Sequence, residues 1–210
     1  MTRRVLVTGF GSFGPHATNP TEELVRSLRE SDVLGVAIHT AVLPVEYEAA
    51  LAEVISQVEA VRPDAVIMCG LYAGRPNVTV EAIAVNVRDT PAHLLDGTDG
   101  LPGPGPVEAG PDGLFATLPV RRIVRSIECA EVPVSLSYTA GTYVCNSTMY
   151  GVLNHARRCG SPSVAGFIHF PASTEMAVGQ PAMPSLPVDL MRRALLIAVE
   201  TTVDHLEQSR

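Results

Sequence analysis

Val164-Ala165-Gly166-Phe167-Ile168-His169-Phe170 is apolar at almost every position and is closed by Pro171. A short run with no polar face, bounded by a helix-breaking residue, fits a strand covered on both sides. Residues 65–69 read the same way and are ended by Gly70, and residues 4–8 form a β-branched opening strand. Residues 36–42 and 132–136 are further short apolar runs, and 78–87 is a longer one. Between them the pattern changes to three- and four-residue spacing. Asn19-Pro20-Thr21-Glu22 opens a helix with Asn as N-cap, Pro at the first position and Glu at the third, followed by Leu24, Val25 and Leu28 on its inner side. Residues 46–60 place Tyr47, Ala50, Leu51, Val54 and Val58 along one stripe, and 119–128 and 190–206 are amphipathic in the same way. Strands alternating with helices predict an α/β fold around a mostly parallel, twisted central sheet.

With 210 residues, 46% of them hydrophobic, the chain suits a single domain over 1–210. A net charge of −7 with scattered Lys and Arg argues against nucleic acid and anionic membrane surfaces as partners. No apolar run approaches the roughly 20 residues of a spanning helix. The basic pair Arg3-Arg4 precedes an apolar run too short for a signal peptide, so the expected location is cytoplasmic. Cys69, Cys129, Cys145 and Cys159 show neither disulfide-framework nor zinc-site spacing. No HExxH or H-x-x-x-H occurs, so no metal is expected.

Ligands of such sheets bind beyond the carboxyl ends of the strands. There Ala140-Gly141-Thr142-Tyr143-Val144-Cys145-Asn146-Ser147-Thr148 passes from turn residues into a helical pattern, putting Cys145 near a helix N-terminus. Unpaired N–H groups and the helix dipole predict a more acidic, more nucleophilic thiol there, with donors at hand for an oxyanion. On this stretch alone, a plain buried cysteine stays open. His169 ends its strand on the same rim. Glu81 lies in Val78-Thr79-Val80-Glu81-Ala82-Ile83, among residues apolar on both sides, where a carboxylate needs a partner. Cys145, His169 and Glu81 together supply a nucleophile, a base and a group to orient the base. His155 follows Cys145 by almost three helical turns, too far to activate it. Gly9-Phe10-Gly11-Ser12-Phe13-Gly14 has the spacing of a dinucleotide loop. Pro15, Asn19 and Pro20 delay the next helix, however, and two phenylalanines suit a small apolar pocket better than a phosphate.

These blocks resemble the pyroglutamyl-peptidase I family of cysteine peptidases almost end to end. The likeness runs through Val7–Gly14, Asn19-Pro20, Leu43-Pro44-Val45, Gly74-Arg75, Val78–Glu81, Asn86, Thr117-Leu118-Pro119, Ala140–Asn146 and Gly166–Pro171. The resemblance implies a Cys–His–Glu triad on Cys145, His169 and Glu81, and a three-layer α/β/α sandwich. It further implies no cofactor, a cytosolic setting and often a homotetramer. The implied reaction is hydrolytic removal of N-terminal pyroglutamyl (5-oxoproline) residues from peptides, the lactam ring held near Phe10 and Phe13. Asn19, Gly70 and Leu71 complete the expected substrate-binding set. The chain departs from the common Gly-Gln-Ala-Gly-Gly-Arg block, having Gly70-Leu71-Tyr72-Ala73-Gly74-Arg75, and from the common segment after the Glu strand at Arg88–His93. Leu71 has no amide to offer, so hydrogen bonds to the ring fall to backbone groups of the Phe and Gly70 loops. Three rivals remain on sequence alone: a non-catalytic or altered-specificity binder of cyclic small molecules, a phosphorylase-like enzyme lacking an evident phosphate site, and a thiol-redox protein lacking a second nearby cysteine.

Overall fold

The computed structural model describes residues 2–13, 18–30, 33–90, 105–161 and 163–208. Gly14, Pro15 and residues 91–104, the first part of the Gly/Pro-rich stretch Pro91–Pro119, lie outside them. Strand β1 (Arg3–Phe10) leads through helix α1 (Pro20–Ser27) to β2 (Val36–Leu43). Helix α2 (Tyr47–Val61) and strand β3 (Ala65–Leu71) follow, then β4 (Val78–Glu81), β5 (Ile83–Val85) and β6 (Gly113–Phe115). Helix α3 (Val120–Cys129), strand β7 (Val134–Ser137), helix α4 (Val144–Cys159) and strand β8 (Val164–Phe170) come next. Two short strands, β9 (Ala172–Ser173) and β10 (Ser185–Leu186), precede the closing helix α5 (Val188–Gln208).

The main sheet has the order β2-β1-β3-β8-β4-β7. All its pairings are parallel except β4 with β8. Because strand side chains alternate, each central strand feeds two cores. Ile67, Cys69, Val78, Val80, Ile168 and Phe170 go to one side, against Leu24 of α1, Ile123 of α3 and Met191 of α5. Met68 and Phe167 go to the other, against Ala50 and Val54 of α2 and Met149 and Tyr150 of α4. This is the three-layer α/β/α sandwich, and the parallel strands are the apolar-on-both-faces runs of the sequence.

One expectation needs correction. The apolar run 78–87 is two strands, broken at Ala82: β4 joins the main sheet, while β5 pairs antiparallel with β6 in a separate two-stranded sheet. Hydropathy could not reveal the break, since the residues are apolar on both sides of it. The reversed direction of β4 also explains the short link before it. Parallel neighbours need a crossover of a dozen or more residues, but residues 72–77 only have to arch over the end of β8. The Tyr72 N–H donates to the Phe170 carbonyl at 2.8 Å, and Gly74, at φ +93°, turns the arch in a region that favours glycine.

Asn19 caps α1 as its sequence position requires. Its Oδ1 accepts from Thr21 N at 3.0 Å and from Thr21 Oγ1 at 2.8 Å, while Nδ2 donates to the Gly11 carbonyl at 3.0 Å. Glu22 turns outward to Arg26. Asn19 thus pins the loop after β1 to the start of α1. Asn19→Ala removes the cap and this tie. It is expected to destabilise the protein by roughly 1–2 kcal/mol, lowering Tm by about 2–6 °C, as read by thermal unfolding.

Candidate active site

Three neighbouring strands and the start of one helix converge on a single face of the sheet. Gly70 of β3 pairs with His169 of β8, and across the antiparallel border Thr79 pairs with His169 and Glu81 with Phe167. Residues in register point to the same side, so His169, Glu81 and Thr79 share the face covered by α4. Glu81 is 0% exposed and His169 2%. An isolated carboxylate would not stay ionised there; this one is heavily partnered. Its Oε1 accepts from His169 Nδ1 at 2.8 Å, Arg75 Nη1 at 2.8 Å and Thr79 Oγ1 at 3.0 Å. Its Oε2 is buried and has no hydrogen-bond partner among the described residues. Burial works to raise the Glu81 pKa, but the hydrogen bond and charge of His169, Ser137 and the Arg75 guanidinium outweigh it and hold the carboxyl below its ordinary value. For His169 burial dominates, helped by the Arg75 charge, and lowers its pKa despite the pull of Glu81. At neutral pH the pair is therefore carboxylate and neutral imidazole. With Nδ1–H directed at Glu81, Nε2 carries the lone pair.

Cys145 is the second residue of α4, after the extended Tyr143 cap. Its Sγ lies 2.9 Å from the point where a Cβ on Gly70 would stand, and Phe167 Cζ lies 2.8 Å from the same point. The absent side chain of Gly70 thus makes the space that brings the sulfur to the strand paired with His169. The first intrahelical bond of α4 runs from Ser147 N to Tyr143 O at 3.1 Å. Helix geometry leaves the earlier N–H groups, beside the sulfur, without acceptors within the helix. The thiol is not acidified by this position, contrary to expectation from sequence. Burial, and then the nearby negative charge of Glu81, push it up to about 12, and a backbone N–H offsets only part of this. Cys145 is half-buried, and the surrounding protein atoms together with the Glu81 charge outweigh the helix start.

Asn146, fully buried next to Cys145, clamps the chain that follows β4. Its Oδ1 accepts from Val85 N, and its Nδ2 donates to the carbonyls of Val85 and Val87, each at 2.9 Å. Asp89 N donates to Thr142 O at 2.9 Å, so this segment lies along the cysteine turn. Phe10 is buried, with its ring centroid 6.4 Å from that of Phe167, which in turn lies 4.7 Å from His169. Phe13 is half-buried, and Leu71 closes β3 at 7% exposure. Asn19 meets the site through the Gly11 loop that it holds. His155 contacts Cys159 instead, at 3.8 Å.

Arg75, Tyr72 and Thr79 had no assigned role in the sequence reading, yet they surround the Glu81–His169 pair. A signal for Arg75 did exist: a carboxylate that must be buried demands a cation, and Arg75 precedes it by one arch.

A thiol at a helix start, a carboxylate-bound imidazole and an α/β/α sandwich define a hydrolase of the cysteine-peptidase type. Over residues 3–205 the chain matches the family described as pyroglutamyl peptidase, and it belongs to that family. It is 41% identical to a pyrrolidone-carboxylate peptidase of Chromobacterium violaceum, over 96% of this chain and 93% of that one. A pyrrolidone-carboxylate peptidase of Thermococcus kodakarensis is 39% identical over 97% of each chain. The structure of pyroglutamyl peptidase I from Bacillus amyloliquefaciens superimposes with a TM-score of 0.89 at 33% identity, covering 96% of this chain and 95% of that one.

The crowding at Gly70 generates a test. Gly70→Ala forces a methyl group into Sγ and the Phe167 ring, and small-to-large changes in packed sites cost about 1–3 kcal/mol. The expected outcome is a folded protein with lower Tm and markedly slower alkylation of Cys145 by iodoacetamide, measured by peptide mass mapping.

Proposed function

We propose that this chain removes the N-terminal pyroglutamyl residue from peptides, with Cys145 as nucleophile, His169 as proton carrier and Glu81 as the group that orients the ring. The observation that carries this reading is the hydrogen bond from His169 Nδ1 to the buried Glu81. It commits the opposite ring nitrogen to proton transfer on the rim where Gly70 admits the sulfur.

Sγ forms a bond to the pyroglutamyl carbonyl carbon as its proton passes to His169 Nε2. The carbonyl electrons move to oxygen, and the first N–H groups of α4 hold the resulting oxyanion; one such donor is worth about 3–4 kcal/mol in the transition state. As the intermediate collapses, the C–N bond breaks and Nε2–H protonates the departing amine. Water then adds to the thioester, giving a proton to Nε2, and collapse returns that proton to sulfur and releases pyroglutamate. Because the resting thiol is neutral, proton transfer has to accompany attack, a contribution of about 10²–10⁴ in rate. Glu81 stays ionised throughout and stabilises the transient imidazolium.

A pyroglutamyl residue has no free α-amine, so its end of the pocket needs no counter-charge. Phe10, Phe13 and Leu71 supply apolar contact, Gly70 supplies backbone, and Asn19 holds the Gly11 loop behind Phe10. The segment clamped by Asn146 forms the wall toward the rest of the peptide. The same reading makes residues 1–210 a single peptidase domain acting in the cytoplasm as a homo-oligomer. Its four free cysteines suit a reducing compartment, and among the described residues no helix is long and apolar enough to cross a membrane.

The test is amine release from a pyroglutamyl anilide beside prolyl and glutamyl analogues. Turnover of the first alone is expected, with Cys145→Ser lowering kcat by about 10³-fold or more. Activity depends on neutral His169, whose pKa is lowered from 6.5. Hence kcat/KM rises with pH through a midpoint below 6.5 and stays level across neutrality, since the thiol titrates far above it. Equal turnover of the prolyl anilide, or full activity in Cys145→Ser, would overturn the assignment.

A further inference from the structure

The arch between β3 and β4 carries more than a connection. Arg75 is 18% exposed in its side chain and spends its guanidinium on four acceptors of the site. Nη1 donates to Glu81 Oε1, to Thr79 Oγ1 and, at 3.4 Å, to Ser137 Oγ; Nη2 donates to the Thr139 carbonyl at 3.0 Å. Its Cζ lies 3.8 Å over the Tyr72 ring, a cation–π geometry. The Tyr72 ring stands edge-on to His169, with centroids 5.3 Å apart.

Two nitrogen donors converge on one oxygen. Arg75 and His169 both address Glu81 Oε1, while Oε2 has no hydrogen-bond partner among the described residues. A permanent guanidinium on that oxygen neutralises the carboxylate before the imidazole can use its charge, and does so inside a low-dielectric site. We infer that Arg75, clamped beneath Tyr72, is a positioning residue that fixes Glu81 against His169 Nδ1 and keeps the resting imidazole neutral.

The inference rests on the peptidase reading for its consequence but not for its geometry. The groups around His169 are few. Among the described residues, Glu81 and Thr79 reach it from β4, Arg75 and Tyr72 from the arch, and the Phe167 ring from its own strand; Ser137 of β7 lies behind Glu81. On β3, Gly70 has no side chain and Cys69 belongs to the opposite core. Among the described residues, Glu81 and Arg75 are the two fixed charges that act on His169, and removing one leaves the other unopposed. Without Arg75, Glu81 acts on the imidazole alone and favours its protonated form. The Arg75 charge also lowers the His169 pKa, in the same sense.

The experiment is an NMR titration of the His169 imidazole, its resonance identified by loss in His169→Asn, in wild type, Arg75→Lys, Arg75→Gln and Tyr72→Leu, without substrate. Wild type is expected to titrate below the ordinary histidine value. Arg75→Gln moves the midpoint to higher pH, Tyr72→Leu moves it the same way by less, and Arg75→Lys, which keeps the charge, stays near wild type. The acid limb of kcat/KM for a pyroglutamyl anilide follows the same order, and kcat at neutral pH falls by about tenfold or more in Arg75→Gln. A purely structural Arg75 would lower kcat without moving either midpoint, and an unmoved midpoint in Arg75→Gln overturns the inference. Should Arg75→Gln fail to fold, Tyr72→Leu decides by the same criterion, because Tyr72 is 38% exposed and its loss leaves the core intact. A wild type that leaves pyroglutamyl anilide uncleaved would instead sink the peptidase reading, while the imidazole titration would still decide the role of Arg75.

Discussion

A carboxylate with no access to water sits at the end of the strand next to the sheet's edge, and much of the site's arrangement follows from the need to keep it ionised. Stripping a charge of its hydration costs several kcal/mol even after relaxation, and Glu81 recovers this through three donors on one oxygen. Two of them, Arg75 and His169, come from different parts of the chain. The same contacts that make burial tolerable therefore fix the ring that handles the proton. Breaking one leaves a buried charge uncompensated, so structure and chemistry are coupled at this point.

The topology exists in a form that allows this. Running β4 against β8 lets β3 and β4 be joined by an arch of a few residues over the end of β8, instead of by a helical crossover. That arch delivers Tyr72 and Arg75 onto the face where α4 brings Cys145. On the opposite face the same strands present Val78, Val80, Ile168 and Phe170 to an apolar core. Alternation along two strands thus separates a polar constellation from a hydrophobic one within a few residues.

Most of the sandwich was legible in the sequence, because parallel strands buried on both sides show as unbroken apolar runs and the helices show their caps and stripes. Asn19-Pro20 marked the start of α1 to the residue. The cysteine, the histidine and the glutamate were legible for another reason: each is a residue whose chemistry conflicts with an apolar setting. The break at Ala82 was hidden, since hydropathy is blind to strand direction and sheet membership. The upward pull on the thiol pKa was hidden too. Position at a helix start is a local property, whereas the burial and the Glu81 charge that outweigh it come from residues distant in sequence. Arg75 and Tyr72 were visible only as departures and matches in a motif, because their role depends on an arch whose path no local pattern dictates.

The whole account requires that a covalent bond form at one sulfur. Rapid acid quenching of the protein with a pyroglutamyl ester, followed by peptide mass mapping, tests this directly. The account predicts one pyroglutamyl acyl group on the peptide containing Cys145, appearing and decaying with turnover. Turnover that leaves Cys145 unmodified while the acyl group collects on Cys69, Cys129 or Cys159, or on no cysteine at all, would contradict it.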